Sequence, residues 1–260
     1  MAGPISISSL EKWTKFLFHP NIYDGDSKQD ILDIGIQIRT EMDSQIKVMM
    51  MAYQLSGDFW ENHDRIAPVL SESLSNAFGD LRKSMIHFQP YRSMRADSDY
   101  IFWFSSRNSE DLVAAKQRLN VAFGGYGKAV YGMFAIYEHS PYARDGKTME
   151  DTLKMPPKKY FIAYPMIKDP SWYLEPSEDR KKIMSEHISM AVNDPENDDI
   201  RSYTTLSYGI GDQEFIVMYE TDSLENWSHV TQRLREARQR KWITTEYPIF
   251  VGIHMDKVEA

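Results

Sequence analysis

Two patterns of apolar positions alternate along the chain. Short segments rich in β-branched and aromatic residues are typical of strands, whereas apolar residues recurring every three to four positions are typical of amphipathic helices. Gly211 and Asp212 lie between two strand-like segments and predict a two-residue hairpin turn. The patterns predict helices near 59–83 and 177–191, a strand followed by a helix within both 99–120 and 214–235, and further strands over 45–53, 85–95, 131–139, 160–168, 200–210 and 246–254.

The sequence contains an internal repeat with an offset of 115 residues. At this offset Ile101 aligns with Ile216, and the strand predicted at 131–139 falls on the one predicted at 246–254. Identities between the two copies are few, but both copies carry strands and helices in the same order. That order is the one of a ferredoxin-like unit.

The predicted fold class is therefore α+β, with two tandem ferredoxin-like repeats of the dimeric α+β barrel type. We expect paired antiparallel sheets with the helices outside, either packed face to face or closed into a barrel. The division that we predict is an N-terminal arm over 1–40, a first repeat over 41–139, a linker over 140–158 and a second repeat over 159–260. A duplicated scaffold does not by itself name a function.

Composition excludes several classes of function. The net charge of −8, with no basic run, argues against broad nucleic-acid binding, and the absence of cysteine excludes disulfides, thiolate catalysis and zinc–thiolate sites. No apolar run is long enough to span a membrane, and the N-terminal residues lack the features of a signal peptide. We therefore expect a cytoplasmic protein with no nucleic-acid partner and no membrane span.

One histidine lies on the apolar side of the predicted helix at 177–191. His187 shares that face with Ile183, Met184, Ile188 and Ala191, where a core side chain is expected. Spacing alone favours a partly buried histidine whose ring nitrogens are satisfied by neighbours over a metal ligand.

Several motifs resemble the chlorite dismutase-like superfamily, and within it the peroxide-dependent coproheme decarboxylases most closely. They are Tyr-Pro-Met-x-Lys from residue 164, Trp-Tyr-x-x-Pro-x-x-x-Arg from residue 172 and Met-x-x-His ending at residue 187, together with "GDQEFIVMYETD" and "YPIFVG". The resemblance covers about residues 95–254. It implies a duplicated ferredoxin-like fold, iron coproporphyrin III (both substrate and cofactor) or haem b as the bound group, and a homo-oligomer, usually a pentamer.

The resemblance assigns roles to residues on two elements. His187 matches the only protein ligand of the haem iron, and Glu220 is a candidate acceptor for its second ring nitrogen. Tyr164 matches the tyrosine of decarboxylase members. With hydrogen peroxide as the oxidant, that phenol forms a tyrosyl radical, which takes hydrogen from a propionate so that carbon dioxide leaves. The alternative for Tyr164 is an aromatic side chain that merely packs in a strand.

Three more positions match groups that hold the macrocycle. Lys168 matches a lysine that pairs with the reacting propionate, and its alternative is a solvated loop lysine. Trp172 is expected to pack on the macrocycle edge, with core packing as the alternative. Arg235 falls where relatives bind a propionate, and Arg238 takes that place if the register slips.

The residue opposite the iron ligand distinguishes the branches of the superfamily. Alignment on "GIGDQEF" places Ser202 there, whereas a slip of one residue would place Arg201, because neighbouring strand residues face opposite ways. Relatives with a distal histidine carry it where this chain has Lys147, and the nearby His139 is read as structural. The chain thus lacks both the distal glutamine and the distal histidine of the known branches.

Three functions follow as hypotheses. The first is a haem-dependent oxidoreductase that decarboxylates iron coproporphyrin III to haem b with hydrogen peroxide. The second is a haem b protein with peroxidase or chlorite-dismutase activity, which a distal Arg201 would favour. The third is a non-catalytic haem-binding or regulatory module in which Tyr164 only packs.

Overall fold

The structure is a computed structural model that describes residues 45–138 and 148–257. Among these residues, no helix is both long enough and apolar enough to cross a membrane. The helices are α1 (Gly57–Glu61), α2 (His63–Ser84), α3 (Ser109–Phe123), α4 (Met149–Leu153), α5 (Ser171–Leu174), α6 (Ser177–Val192) and α7 (Leu224–Leu234), with 3₁₀ turns at Gly124–Tyr126, Pro195–Asp199 and Arg238–Trp242. The strands are β1 (Ile46–Leu55), β2 (His87–Ser93), β3 (Tyr100–Ser106), β4 (Gly127–Glu138), β5 (Tyr160–Lys168), β6 (Arg201–Leu206), β7 (Phe215–Thr221), β8 (Ile243–Thr245) and β9 (Phe250–His254).

The strands form one antiparallel sheet that closes on itself. Its order is β7-β6-β4-β1-β3-β2-β9-β5-β8, and β7 also pairs with β5. Eight strands therefore make a closed ring, and the short β8 extends one end of β5. Of the two arrangements that the sequence left open, the closed barrel is the one observed. Closure leaves no long unpaired strand edge.

Each half of the ring is a ferredoxin-like unit. The first has the order β4-β1-β3-β2 and the second has β6-β7-β5-β9. The halves join where β4 pairs with β6 and where β2 pairs with β9. The repeat offset persists in the structure, since α3 begins at Ser109 and α7 begins 115 residues later at Leu224.

Two apolar cores lie on opposite faces of the sheet. The core inside the ring includes Trp103, Phe161 and Tyr203, and Trp103 packs with its ring centroid 5.1 Å from Phe161 and 4.6 Å from Tyr203. The outer core lies between α2, α3 and the first half of the sheet. Offset and edge-to-face aromatic packing of this kind adds stability beyond the burial of apolar area.

Some predicted boundaries differ from the structure. Gly211 and Asp212 do not form a two-residue hairpin, because β6 ends at Leu206 and β7 begins at Phe215. The strand predicted over 246–254 is shorter, beginning at Phe250.

The predicted linker over 140–158 contains α4, whose Leu153 is buried. The predicted arm over 1–40, His139 and Lys147 lie outside the described residues, and the division at 41–139 and 159–260 stays a prediction.

Candidate functional site

A cavity of about 400 Å³ opens between the second half of the sheet and helices α6 and α7. Alternation along the strands creates its floor. Ser202 and Thr204 of β6 and Phe215, Val217 and Tyr219 of β7 are partly exposed and line the cavity, while the residues between them are buried. Its lining is largely apolar, with Met166, Met184, Phe215 and Val217 among the contributors. The predicted residues His187, Tyr164, Lys168, Ser202 and Arg235 all line it.

His187 is presented to the cavity by α6. Pro176 is the N-cap of this helix, and Glu178 and Asp179 occupy its first turn, where carboxylates favour the positive end of the helix dipole. Burial lowers the pKa of His187, and the charges of Lys168 and Arg240 lower it further. The imidazole is therefore neutral at neutral pH, which is the form that ligates a metal.

The ring of His187 has a polar neighbour from the C-terminal part of the chain. The Nε2 atom of the buried Gln239 lies 3.4 Å from Nδ1 of His187. The carboxylate considered from the sequence, Glu220, is elsewhere: it lies on the inner face of the sheet and accepts hydrogen bonds from Tyr91 and Tyr203. The prediction for Glu220 is therefore wrong, because its odd-numbered neighbours in β7 face the cavity and it does not.

Tyr164 belongs to a row of hydroxyl groups on the cavity floor. It lies on β5, Tyr219 on β7 and Ser202 on β6, and Ser202 and Tyr219 are direct partners in the β6–β7 ladder. The rings of Tyr164 and Tyr219 are roughly parallel, at 27° with their centroids 6.3 Å apart. Burial raises the pKa of Tyr164 well above its usual value, and the Glu246 carboxylate raises it further, so the phenol keeps its proton.

Lys168 is a buried lysine at the end of β5. Its Nζ atom lies 4.0 Å from Sδ of Met184, and its backbone N–H donates to Glu214 at 2.8 Å. Burial lowers the pKa of Lys168 to about 8, although the Glu214 carboxylate acts in the opposite direction. The solvated loop lysine that was the alternative is therefore not what the structure shows.

Trp172 is buried in α5 and does not line the cavity. Its indole ring lies beneath Lys168, with Nζ 3.9 Å from the ring centroid, and packs against Trp242 with the centroids 5.3 Å apart. This geometry differs from the predicted contact with a macrocycle edge and agrees with the alternative of core packing. Its effect on the cavity passes through Lys168.

Arg235 and Arg240 share one carboxylate at the cavity wall. Arg235 Nη1 lies 2.6 Å from Oε2 of Glu246, and Arg240 bonds the other oxygen of the same carboxylate. Arg238 is directed away from the cavity and pairs with Glu186 on α6. Of the two arginines considered from the sequence, Arg235 lines the cavity and Arg238 does not.

Arg201 also reaches the cavity lining, but its guanidinium is engaged. Its Nη2 donates to the carbonyl of Pro156 at 2.6 Å, and its Nη1 lies 3.5 Å from Oε2 of the buried Glu220. Ser202, the next residue, lies on the cavity floor opposite Tyr219 in the β6–β7 ladder.

The donor set fits a flat apolar ligand that carries a metal and several carboxylates. A neutral imidazole, a mainly apolar wall and cationic groups from Lys168, Arg235 and Arg240 meet in one space. Arginine pairs readily with carboxylates, and a buried lysine binds one as a compact point charge.

Tyr219, Gln239, Arg240 and Glu246 were not identified from the sequence. Strand alternation with Phe215 and Val217 could have indicated Tyr219. Gln239 and Glu246 lie more than fifty residues beyond His187, in a 3₁₀ turn and the segment after β8, and no spacing pattern relates them to it.

Comparisons with known proteins place these features in a family. The family model described as "Chlorite dismutase" matches residues 67–255. The coproheme decarboxylase of Mycolicibacterium smegmatis is 28% identical over 168 residues, which are 61% of this chain and 68% of that protein.

Solved structures show the same fold. The crystal structure of TA0507, which is described as a chlorite dismutase, superposes with a TM-score of 0.72 at 44% sequence identity. The match covers 82% of this chain and 95% of that one. A heme-binding protein from Thermus thermophilus has a TM-score of 0.70 at 18% identity, covering 82% and 92% of the two chains. A mutant chlorite dismutase from Candidatus Nitrospira defluvii has a TM-score of 0.67 at 19% identity, covering 81% and 91%.

Proposed function

Because this chain belongs to the chlorite dismutase family, we propose that it is a haem-dependent oxidoreductase that converts iron coproporphyrin III to haem b with hydrogen peroxide. The coproheme decarboxylase among its relatives supports this choice of reaction. Two propionates would each become a vinyl group. Each decarboxylation consumes one peroxide and one proton and releases one carbon dioxide and two waters.

The cavity residues divide the task of holding such a substrate. His187 would bind the iron through a ring nitrogen, and Gln239 would orient the imidazole. Lys168 would bind one propionate at the wall, and Arg235 and Arg240, which pair with Glu246, would bind another by exchanging that carboxylate for it. When bound, the iron supplies, together with peroxide, the one-electron oxidising steps that amino-acid side chains cannot perform.

Tyr164 is the residue that reacts with the propionate side chain. Its phenol, kept protonated by burial, loses an electron and a proton to become a tyrosyl radical. The radical takes a hydrogen atom from the propionate methylene, which restores the phenol. Loss of carbon dioxide and of one further electron, which the iron oxidised by peroxide would accept, would then leave the vinyl group.

Lys168 binds the carboxylate that is to leave. With a pKa of about 8 the ammonium is charged at neutral pH, so it attracts the propionate before reaction. A buried lysine with a lowered pKa also loses its proton more easily once the carboxylate has gone. Lys168 thus serves binding without retaining the product strongly.

The alternative with peroxidase or chlorite-dismutase activity receives less support. It calls for a guanidinium free to act over the iron, and Arg201 is held by Pro156 and Glu220 instead. The non-catalytic alternative gives no role to a buried lysine and a protonated phenol that line the same cavity. We further propose that the protein forms a homo-oligomer, a pentamer by resemblance to its family, which light scattering on the purified protein measures.

The observation that carries the proposal is that Tyr164 and Lys168, which share one motif on β5, line the same cavity as His187 from α6. When the apoprotein is titrated with ferric coproheme and then with peroxide, the mass of the bound pigment should show the loss of two carboxyl groups. An intermediate with three propionates should appear on the way. Tight binding without mass loss would contradict the proposal, and chlorite is then the next reagent.

Tyr164→Phe is the sharpest variant, because it removes the phenol and keeps the ring. We expect it to bind coproheme as the native protein does and to lose decarboxylation by at least a hundredfold. Tyr160→Phe, on the same strand but outside the cavity lining, is the matched control and should react normally. Native rates in Tyr164→Phe would exclude the tyrosyl mechanism.

A further inference from the structure

We propose that Glu246 is a specificity-determining residue of the cavity. Its carboxylate occupies the place of a ligand carboxylate on Arg235 and Arg240, beside Tyr164, and only a ligand that presents a carboxylate at this point displaces it. That the ligand is a porphyrin rests on the proposed function. The internal pairing from which we infer the exchange belongs to the protein alone.

Glu246 joins two arginines that come from different turns of the chain. Arg235 is the C-cap residue of α7, and Arg240 lies in the 3₁₀ turn before β8. Arg235 Nη1 donates to Oε2 of Glu246 at 2.6 Å, and Arg240 Nη1 donates to Oε1 of the same carboxylate. All three side chains line the cavity. A carboxylate with one guanidinium on each oxygen is the arrangement that a propionate would adopt at this place.

The pairing of β5 with β8 and β9 places Glu246 beside Tyr164. On this side of β5, β8 pairs with 167–168 and β9 pairs with 160–163. The connecting residues 246–249 therefore run past Tyr164, which lies between the two paired stretches. In addition to burial, the Glu246 carboxylate raises the pKa of the Tyr164 phenol. A carboxylate held by the two arginines is thus close to the phenol that the proposed reaction uses.

The segment that carries Glu246 can yield to a ligand. Tyr247 is 71% exposed and Ile249 is 42% exposed, so a displacement of this segment breaks few apolar contacts. The side chain of Arg235 is half exposed, and ion pairs at such positions are weak. A ligand carboxylate can therefore compete with Glu246 for the two guanidiniums.

The exchange distinguishes ligands by their carboxylates. A propionate on Arg235 and Arg240 replaces one carboxylate by another, so both cationic charges stay paired and Tyr164 keeps a negative charge nearby. A macrocycle without a carboxylate at this point leaves Glu246 in place and gains nothing from the arginines. An anionic group that enters the cavity without displacing Glu246 is repelled by it.

Binding of metal-free coproporphyrin III to the apoprotein tests the exchange without any turnover. This probe is fluorescent and carries a carboxylate on each propionate. We expect Glu246→Gln to bind it about tenfold more tightly, because the amide keeps the size of the side chain but competes poorly for two guanidiniums. The tetramethyl ester of the same porphyrin should bind both proteins alike. Damage to the fold would weaken binding, so unchanged or weaker coproporphyrin binding would overturn the proposal.

Glu236→Gln is the matched control. Glu236 is an exposed residue next to Arg235 in the sequence, and it lies outside the cavity lining. The change removes the same charge from the same part of the chain, where solvent and salt screen it, so the affinity for coproporphyrin should stay within about twofold of the native value. An equal gain in both variants would assign the effect to net charge and overturn the exchange.

Carboxyl labelling follows the Glu246 side chain itself. A water-soluble carbodiimide couples a small amine to accessible carboxylates, and peptide mass analysis locates the product. Both oxygens of Glu246 accept from arginines in the free protein, so coproporphyrin binding should increase the labelling of Glu246 several-fold and leave that of Glu236 unchanged. Unchanged or decreased labelling of Glu246 would show that it stays on its arginines beneath the ligand, which contradicts the exchange.

These outcomes separate the inference from the proposed function. If the native protein decarboxylates coproheme but Glu246→Gln binds coproporphyrin no more tightly, only the inference fails. If coproporphyrin displaces Glu246 but coproheme loses no carbon dioxide with peroxide, only the proposed function fails. If neither protein binds coproporphyrin, both fail.

Discussion

The Nζ atom of Lys168 lies 3.9 Å from the centroid of the Trp172 ring, so a buried ammonium sits against an aromatic face at the edge of the cavity. The contact offsets part of the free energy needed to bury the charge. Burial still lowers the pKa of Lys168 to about 8. The residue therefore lowers the stability of the fold while it serves the site.

The lowered pKa of Lys168 predicts how the free energy of unfolding depends on pH. A lysine with a depressed pKa contributes stability above its unfolded pKa, and this contribution is lost as the pH falls from 10.5 through 8. We expect Lys168→Met to raise the free energy of unfolding by about 3 kcal/mol at pH 7 and to add little near pH 10.5. Denaturant unfolding at several pH values measures the difference.

Lys181→Met is the control for that experiment, because Lys181 is an exposed lysine of α6. It makes the same chemical change without burial and should alter stability by less than about 0.5 kcal/mol. A difference between Lys168→Met and the native protein that does not vary with pH would contradict the buried ammonium. Coproheme binding by Lys168→Met should be weaker in spite of the higher stability.

Replacement of His187 by glycine tests iron ligation directly. The change leaves space for a free imidazole, so we expect His187→Gly to lose the iron–imidazole spectrum and to regain it when imidazole is added. His229→Gly, which removes an exposed histidine of α7, should keep the native spectrum throughout. A native Soret band in His187→Gly without added imidazole would remove His187 as the ligand.

Gln239 should matter through His187. The amide lies 3.4 Å from the imidazole, and loss of a polar partner of a ligating histidine typically weakens metal binding by about 10- to 100-fold. We expect Gln239→Leu to weaken coproheme binding in this range. Gln239→Glu should lower the reduction potential of the iron, since a carboxylate makes the imidazole more basic. Equal potentials in the native protein and in both variants would exclude the contact.

The Glu220 carboxylate gives a pH prediction of the opposite sign. Burial raises its pKa above the ordinary value of 4.5, although Arg201 and the hydrogen bond from Tyr203 act in the other direction. A group with a raised folded pKa contributes stability below pH 4.5 and loses it as the pH rises. Relative to Glu220→Gln, the native protein should therefore lose stability from pH 4.5 upwards. The test is how the difference in free energy of unfolding between the two proteins changes with pH. Its absolute size also contains the lost ion pair with Arg201. A difference that does not vary with pH would contradict the prediction.

Much of the fold could be predicted because its signals are local. Strands β3 and β7 are both runs of aromatic and apolar residues, 115 residues apart, and such a run identifies a strand without any knowledge of its partners. Closure of the sheet depends on β4 pairing with β6 and β2 pairing with β9. Neither pairing can be recognised from a pattern in the sequence.

The loop between β6 and β7 shows why the hairpin was wrongly predicted. The backbone N–H groups of Ile210 and Gly211 both bond the carbonyl of Ser207, and the side chain of the buried Gln213 donates to the hydroxyl of Ser207. Gly209 takes a positive φ of 70° to allow this turn. The hydrogen bonds to Ser207 stabilise a loop longer than two residues, and residue propensities do not predict such contacts.

The site was predictable where one element carries several of its residues. Tyr164 and Lys168 are four positions apart on β5, within one motif. Trp172 was expected at the macrocycle edge, with core packing as the alternative, and it is buried outside the cavity lining, because a sequence does not tell which way a short helix turns after a strand. Gln239 and Glu246 reach the site only through tertiary packing of the C-terminal segment.

The offset of 115 residues supplies a comparison within one molecule. At the positions that correspond to Tyr164, Lys168 and Tyr219, the first half carries Met49, Tyr53 and Phe104, and these side chains belong to its packed core. The first repeat is thus packed at the positions where the second repeat borders a cavity. The packed first half stabilises the same closed sheet whose second half borders the cavity.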